Sequence, residues 1–177
     1  QKPRIPVISN VDALPHDANG CCDSTEGLAG FIEGFVAHGE DPAVKQAQLE
    51  KLTSLYWEPA LRQAERLGIT TAIAVGELYD ACVNHGEDGS EEDMGLRQLV
   101  EKASVAVGGT PRSGVEERAW LRVFLSTRRK YLEKYWPDAV DRIDMYSRIL
   151  DSGNTRLEVP FTVSCYGDSF TITGTQP

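Results

Sequence analysis

Apolar positions recur at helical spacing over most of this chain. From Ile69 to Val83 they are denser: Ala72, Ile73, Ala74, Val75, Leu78, Ala81 and Val83 leave scarcely a polar side. A helix apolar all round belongs inside a protein. At about 1.5 Å per residue it would run roughly 25 Å, the width of a small domain. It is too short, and too polar at its ends, to span a membrane. Glu77 and Asp80 lie within it one turn apart, and so on one face. A buried carboxylate needs a cationic or hydrogen-bonding partner, or it takes up a proton.

The flanking segments read as further helices. Residues 1–23 hold Pro3, Pro6 and Pro15 and then His16-Asp17-Ala18-Asn19-Gly20, the composition of an irregular arm or linker. Residues 24–177 read as a single helical domain. Asp23 with Glu26 predicts a capping box for a helix striped with Leu28, Phe31, Ile32, Phe35 and Val36 that ends near Gly39. Asp41-Pro42 starts a second helix, with proline at its first position; Pro59 bends or breaks it, and Ala60 to Leu67 resumes. After the apolar helix, a helix is expected from Ser90 to about Val107, stopped by Gly108-Gly109-Thr110-Pro111. Another runs from Val115 to about Tyr135 behind a Ser113–Glu116 capping box, and a shorter one from Ala139 to Leu150. In the tail Phe161, Val163 and Cys165, then Phe170 and Ile172, alternate with polar residues around Tyr166-Gly167-Asp168-Ser169, a short β hairpin. The fold class expected is mainly α.

Composition alters this picture in two places. The 177 residues carry 18 basic and 27 acidic side chains, a formal net charge of -9. That balance argues against a nucleic-acid or anionic-membrane partner and suits a cationic ligand, although net charge also serves solubility. Four cysteines, Cys21, Cys22, Cys82 and Cys165, permit two disulfides without proving them, and Cys82 can equally be a small buried hydrophobe. The start Gln1-Lys2-Pro3-Arg4 reads as a mature end left after processing, so a secreted protein is expected.

For Glu77 and Asp80 the best cationic partners are Arg128, which follows the apolar run Trp120 to Leu125, and Arg142, beside Asp144. Arginine suits buried carboxylates because its planar fork donates two parallel bonds. Such a group can support chemistry or merely tie three helices together. His16, His38 and His85 stand far apart without ligand spacing, so no metal is expected, and no phosphate loop or Gly-x-Ser-x-Gly appears; no cofactor is implied. His85, before Gly86, could cap its helix or contact a ligand. Glu87, Asp88, Glu91, Glu92 and Asp93 read as a solvated helix start.

An ordered set of segments resembles the glycoside hydrolase family 46 chitosanases of the lysozyme superfamily. Tyr56-Trp57-Glu58-Pro59-Ala60, Leu78-Tyr79-Asp80-Ala81 and His85-Gly86 are similar to the family's centre. Gly109-Thr110-Pro111, Glu117-Arg118-Ala119-Trp120-Leu121 and Phe124-Leu125 before Arg128 follow. Arg142-Ile143-Asp144, Gly153-Asn154 and Tyr166-Gly167-Asp168 resemble its ending. The resemblance, which runs from about Gly27 to the C-terminus, implies a two-lobed, lysozyme-like helical enzyme. It would hydrolyse β-1,4 links of chitosan with inversion, using an acid and a base carboxylate about 6.5–9.5 Å apart. It also implies that Asp80, Arg128 and Arg142 form a charge network supporting the catalytic acid. His85 and Asp138 would lie near the substrate cleft.

The family's catalytic Glu and Asp lie upstream of every segment matched here. Neither Glu26, Glu33 nor Glu40 is therefore assigned as acid or base. A partner fragment from the N-terminal side of the same precursor is expected, and Cys21 or Cys22 could tether it. Chitosan is a polycation, so the acidic balance favours it over anionic peptidoglycan, the substrate of other lysozyme-like enzymes. The acidic cluster at 87–93 would then also attract the amino-sugar polymer. A non-catalytic sugar-binding module is the third reading, because the catalytic carboxylates are not visible.

Overall fold

The computed structural model describes residues 29–89 and 94–174. By compactness the chain divides into two units, residues 1–51 and 52–177. In the first, α1 (Phe31–His38) starts at Gly30, whose φ of 76° is left-handed, and Asp41 accepts the Ala43 N–H at 2.8 Å to open α2 (Pro42–Leu52). The Asp23–Glu26 box lies outside the described residues. The stripe on α1 leaves Ile32, Phe35 and Val36 exposed.

The second unit holds α3 (Glu58–Leu67), α4 (Ala72–His85), α5 (Leu96–Val107), α6 (Glu117–Tyr135), α7 (Val140–Ser152) and the antiparallel pair β1 (Phe161–Cys165) and β2 (Asp168–Ile172). Its core joins Ile73, Leu78 and Ala81 of α4, Leu99, Val100 and Ala103 of α5, and Trp120, Leu121, Phe124 and Leu132 of α6. Trp120 stacks on Phe124 at 5.2 Å and donates its indole N–H to Ser104 Oγ at 3.0 Å, so the one polar atom of that ring is satisfied inside. α4 packs against α3, α5 and α7. It is not buried on all sides: Val83 and Asn84 are exposed and Val75 and Tyr79 half-buried.

Proline 59 does not break a helix in its middle. It occupies the first turn of α3, behind a π turn, Thr53–Trp57, in which the Glu58 N–H reaches Thr53 O. A proline cannot bond the carbonyl four residues back. Here that carbonyl is Leu55 O, and it receives the Cys82 thiol at 3.7 Å. Cys82 is a buried free thiol, pushed up to about 11 by burial, and Cys165 is also free. Cys21 and Cys22 lie outside the described residues.

Two helix starts differ from the sequence reading; Ser90, Glu91, Glu92 and Asp93 lie outside the described residues. α5 begins at Leu96, after Gly95. Glu87 and Asp88 do not open it: Glu87 pairs with Arg62 at 3.0 Å and Arg97 at 3.1 Å, and Asp88 with Arg97 at 3.1 Å. Ser113 boxes with Thr110 around a 3-10 turn, Pro111–Ser113, and Gly114 at φ 102° ends that turn. Glu116 is itself the N-cap of α6, accepting from the N–H groups of Arg118 at 2.9 Å and Ala119 at 2.7 Å. The next residue, Glu117, reaches across to the start of α4. Its carboxylate accepts the backbone N–H groups of Thr70 and Thr71 and both hydroxyls, at 2.5–3.0 Å. Burial works against its charge, yet these four bonds hold it below the ordinary carboxylate range. Glu117→Ala is expected to cost about 1.5–3 kcal/mol in urea unfolding at neutral pH. In the wild type that contribution is fully present above the unfolded carboxyl's range and fades as acid protonates Glu117 in the folded state. An alanine variant as stable as wild type would show that the cap is idle.

Candidate functional site

The face of α4 that carries Glu77 and Asp80 meets two guanidiniums. Arg128, from the middle of α6, is fully buried, and every N–H it owns has a partner. Nη1 stands 2.8 Å from Glu77 Oε1 and 2.7 Å from Asp80 Oδ2. Nη2 donates to Asp80 O at 3.5 Å and Asn84 Oδ1 at 3.3 Å, and Nε to His85 Nε2 at 3.1 Å. Arg142, on α7, takes Asp80 from the other side with a two-pronged grip: Nε to Oδ2 at 3.2 Å and Nη2 to Oδ1. Asp80, 9% exposed, is thus shared by two arginines.

Burial pushes Glu77 up, against the pull of Arg128, and the Asp80 charge adds to the rise; its carboxyl settles at about 7. Burial also raises Tyr146, whose hydroxyl donates to Gly76 O at 3.0 Å. Because Arg128 can only donate, Nε2 of His85 must be the accepting nitrogen, so its ring proton sits on Nδ1. The His85 ring also stands edge-on to Tyr131 at 5.4 Å, and Tyr131 packs on Tyr135 at 4.8 Å.

Beside this network opens a cavity of about 590 Å³, lined by Asn84, Tyr135, Trp136, Pro137, Asp138, Ala139 and Tyr166. Asn84 belongs to both, since its side-chain oxygen holds Arg128. Tyr135, Trp136 and Tyr166 expose large parts of their rings. Trp136 ends α6, and the 3-10 turn Pro137–Ala139 then presents Asp138. Tyr166 and Gly167 are the two central residues of the β1–β2 turn, both at positive φ, 54° and 83°, as a type I′ turn demands. The Tyr166 N–H donates to Asp141, and the charge of the phenol favours the Arg142 guanidinium nearby. A tyrosine held in the left-handed region is a costly choice for a turn. Here it brings a phenol to the cavity.

Asp80, Arg128, Arg142 and His85 therefore form one connected cluster, and Asp138 lines the adjoining cavity. His85 does not line it. Glu77 meets Arg128 together with Asp80, as its place on the same helix face led one to expect. Periodicity did not mark Asn84, Tyr135, Trp136 or Tyr166 as wall residues; the adjacent aromatics Tyr135-Trp136 before a proline were an available signal. A larger cavity of about 860 Å³ lies between α3 and α5, lined in part by Arg62, Arg66, Arg97, Glu87 and Glu101, and holds none of the network residues. Among the described residues no group of three His, Cys, Asp or Glu side chains could hold a metal ion. None of the described helices is long and apolar enough to cross a membrane.

The family model for glycosyl hydrolase family 46 matches residues 1–161. The chitosanase of Bacillus subtilis (strain 168) is 30% identical over 149 residues, covering 80% of this chain and 53% of the relative. That of Streptomyces sp. (strain N174) is 29% identical over 144 residues, covering 80% and 50%. This chain thus spans about half the length of the curated relatives it matches. Among solved structures, the Gynuella sunshinyii chitosanase in complex with chitotetraose superposes with a TM-score of 0.76 at 33% identity, covering 84% of this chain and 64% of that one. A mutant chitosanase from Bacillus subtilis MY002 complexed with 6 GlcN gives 0.77 at 28% identity, covering 85% and 66%. A mostly helical chain ending in a hairpin, with its charge network buried on the central helix and a match along nine-tenths of its length, belongs to glycosyl hydrolase family 46.

Proposed function

We propose that this chain is the larger part of a secreted glycosidase that hydrolyses β-1,4 links of chitosan with inversion. One observation carries the reading: the Arg128–Asp80–Arg142 relay lies beside an aromatic-walled cavity, in a chain whose solved neighbours bind chitotetraose or 6 GlcN. The exposed rings of Trp136, Tyr135 and Tyr166 offer flat apolar faces of the kind a sugar ring can cover. Asp138 would accept from a hydroxyl or pair with an ammonium group. His85, with its proton on Nδ1, would act near the same cleft.

The general acid and base are expected upstream of the matched segments, in a fragment of the same precursor that completes the cleft. The role of this chain is to hold Arg142, and through it the acid. Inversion then requires room for a water between two carboxyl groups about 6.5–9.5 Å apart. A formal charge of -9 favours a polycation over the anionic bacterial wall. The test compares reducing-end release from chitosan and from peptidoglycan by the whole protein. Release from chitosan alone is the expected result. Release from the wall alone would make it a muramidase, and saturable binding of glucosamine oligomers without turnover would make it a sugar-binding module.

A further inference from the structure

We propose that Glu77 is a positioning residue of this cleft: by sharing Arg128 with Asp80, it decides how firmly Asp80 grips Arg142. The proposal deepens the glycosidase reading and rests on it for its kinetic consequence. Its structural consequence stands apart from that reading.

The geometry is a chain of four groups. The Glu77 and Arg128 side chains are fully buried, that of Asp80 is nearly so, and that of Arg142 is 29% exposed. One nitrogen, Arg128 Nη1, faces Glu77 Oε1 and Asp80 Oδ2 together. With Glu77 ionised, Arg128 has a counter-charge of its own, and Asp80 can serve Arg142. With Glu77 neutral, two guanidiniums divide a single carboxylate. The buried one then takes the greater share, because it has no water to turn to. Arg142, on the outer side, loosens.

The groups facing Glu77 are Asp80 on its own helix, Arg128 from α6, and Arg142 and Tyr146 from α7. The Tyr146 hydroxyl is committed to Gly76 O. Glu77 Oε2 has no hydrogen-bond partner among the described residues, so Arg128 is the one hydrogen-bonding partner of the ionised form, with the Arg142 charge assisting from farther off. Burial against that single partner places the change of charge near neutrality, at about 7. The network carries one net positive charge below that point and none above it.

Glu77→Gln keeps the shape and the Oε1 acceptor while fixing the group neutral. Wild type and variant should therefore resemble each other in acid and diverge in base. The ratio of variant to wild-type kcat on a soluble glucosamine oligomer is expected to fall about fivefold between about pH 5.5 and pH 8. At about pH 8 the Arg142 Nε–H, followed by NMR, should exchange faster in the variant. Unfolding supplies the sign. The folded carboxyl holds its proton up to about 7 against a reference of 4.5, so this group stabilises below the reference value and loses that contribution as pH rises through the folded one. The wild-type unfolding midpoint should fall over that window by a step the variant lacks.

A merely structural role would lower kcat by the same factor at every pH, and that result overturns the proposal. So does a wild-type Glu77 carboxyl that labelled-glutamate NMR finds already ionised at about pH 5. If the variant fails to fold, the wild-type carboxyl titration and Arg142 exchange still decide. If chitosan is never cut, the glycosidase reading fails while those two readouts continue to judge Glu77.

Discussion

Arg128→Ala is expected to remove about 3–5 kcal/mol of folding stability, measured by urea unfolding at neutral pH. Few single substitutions should cost this molecule more. The side chain is wholly buried, and its loss would strand Glu77 Oε1 and take a donor from Asp80 Oδ2, Asn84 Oδ1 and the accepting nitrogen of His85 at once. A buried acceptor without a donor pays its desolvation in full, and an anion pays most. Much of the loss would thus reflect stranded charge rather than the worth of the ion pair. Combining Arg128→Met with Glu77→Leu should recover a substantial part, because it removes charge of both signs and leaves Asp80 to Arg142. A loss under about 1 kcal/mol for the alanine variant would mean that water reaches the network and that its burial contributes little.

Arg142→Ala should behave differently, with turnover falling on the order of 100-fold per folded molecule. Its side chain is partly solvent-exposed and makes a two-pronged contact to Asp80. Screening by solvent limits its share of stability to about 1 kcal/mol. Its removal leaves Asp80 still held by Arg128 at 2.7 Å, so the fold keeps its central pair. What is lost is a guanidinium fixed in direction on the partly exposed side of Asp80. Arg142→Lys should recover little, since an ammonium cannot reproduce two parallel bonds to one carboxylate. Normal turnover in the alanine variant, with the folded fraction measured by circular dichroism, would assign the network to structure alone.

The two substitutions separate the inner and outer halves of one network. Arg128 sits where dielectric is low and every donor is committed, so its removal is read in stability. Arg142 sits at the partly exposed edge of the group, so its removal is read in rate. Glu77 joins the halves, and its effect is read in pH.

Much of the second unit was legible in residue order. The 3.6-residue period of α6 and the alternation in Phe161–Cys165 both follow from which side of an element meets the core. Gly108 and Gly153, at φ 85° and 83°, end α5 and α7 because a residue there must be left-handed. Errors gathered where one local signal had two uses. Ser113 and Glu116 have capping spacing, but Gly114 separates them into two caps on two elements. The run from Glu87 resembled a helix start, but Arg62 and Arg97, brought in by α3 and α5, claim Glu87. Pro59 resembled an interruption, but the wide turn before it and the Cys82 thiol answer for its missing hydrogen bond.

Residue order alone places a carboxylate pair on a largely apolar helix and offers arginines on two later helices as its fitting partners. Charge type and helical period are local properties, readable along the chain. It took the packing of the helices to let one nitrogen of Arg128 serve both carboxylates, to bring His85 to its Nε from 43 residues away, and to close Arg142 on Asp80 across 62 residues. The same packing carries Tyr166, on a hairpin turn, to the cavity wall beside Asn84. Such meetings depend on how helices cross and how far each side chain reaches, and neither is written in the order of residues along any single helix.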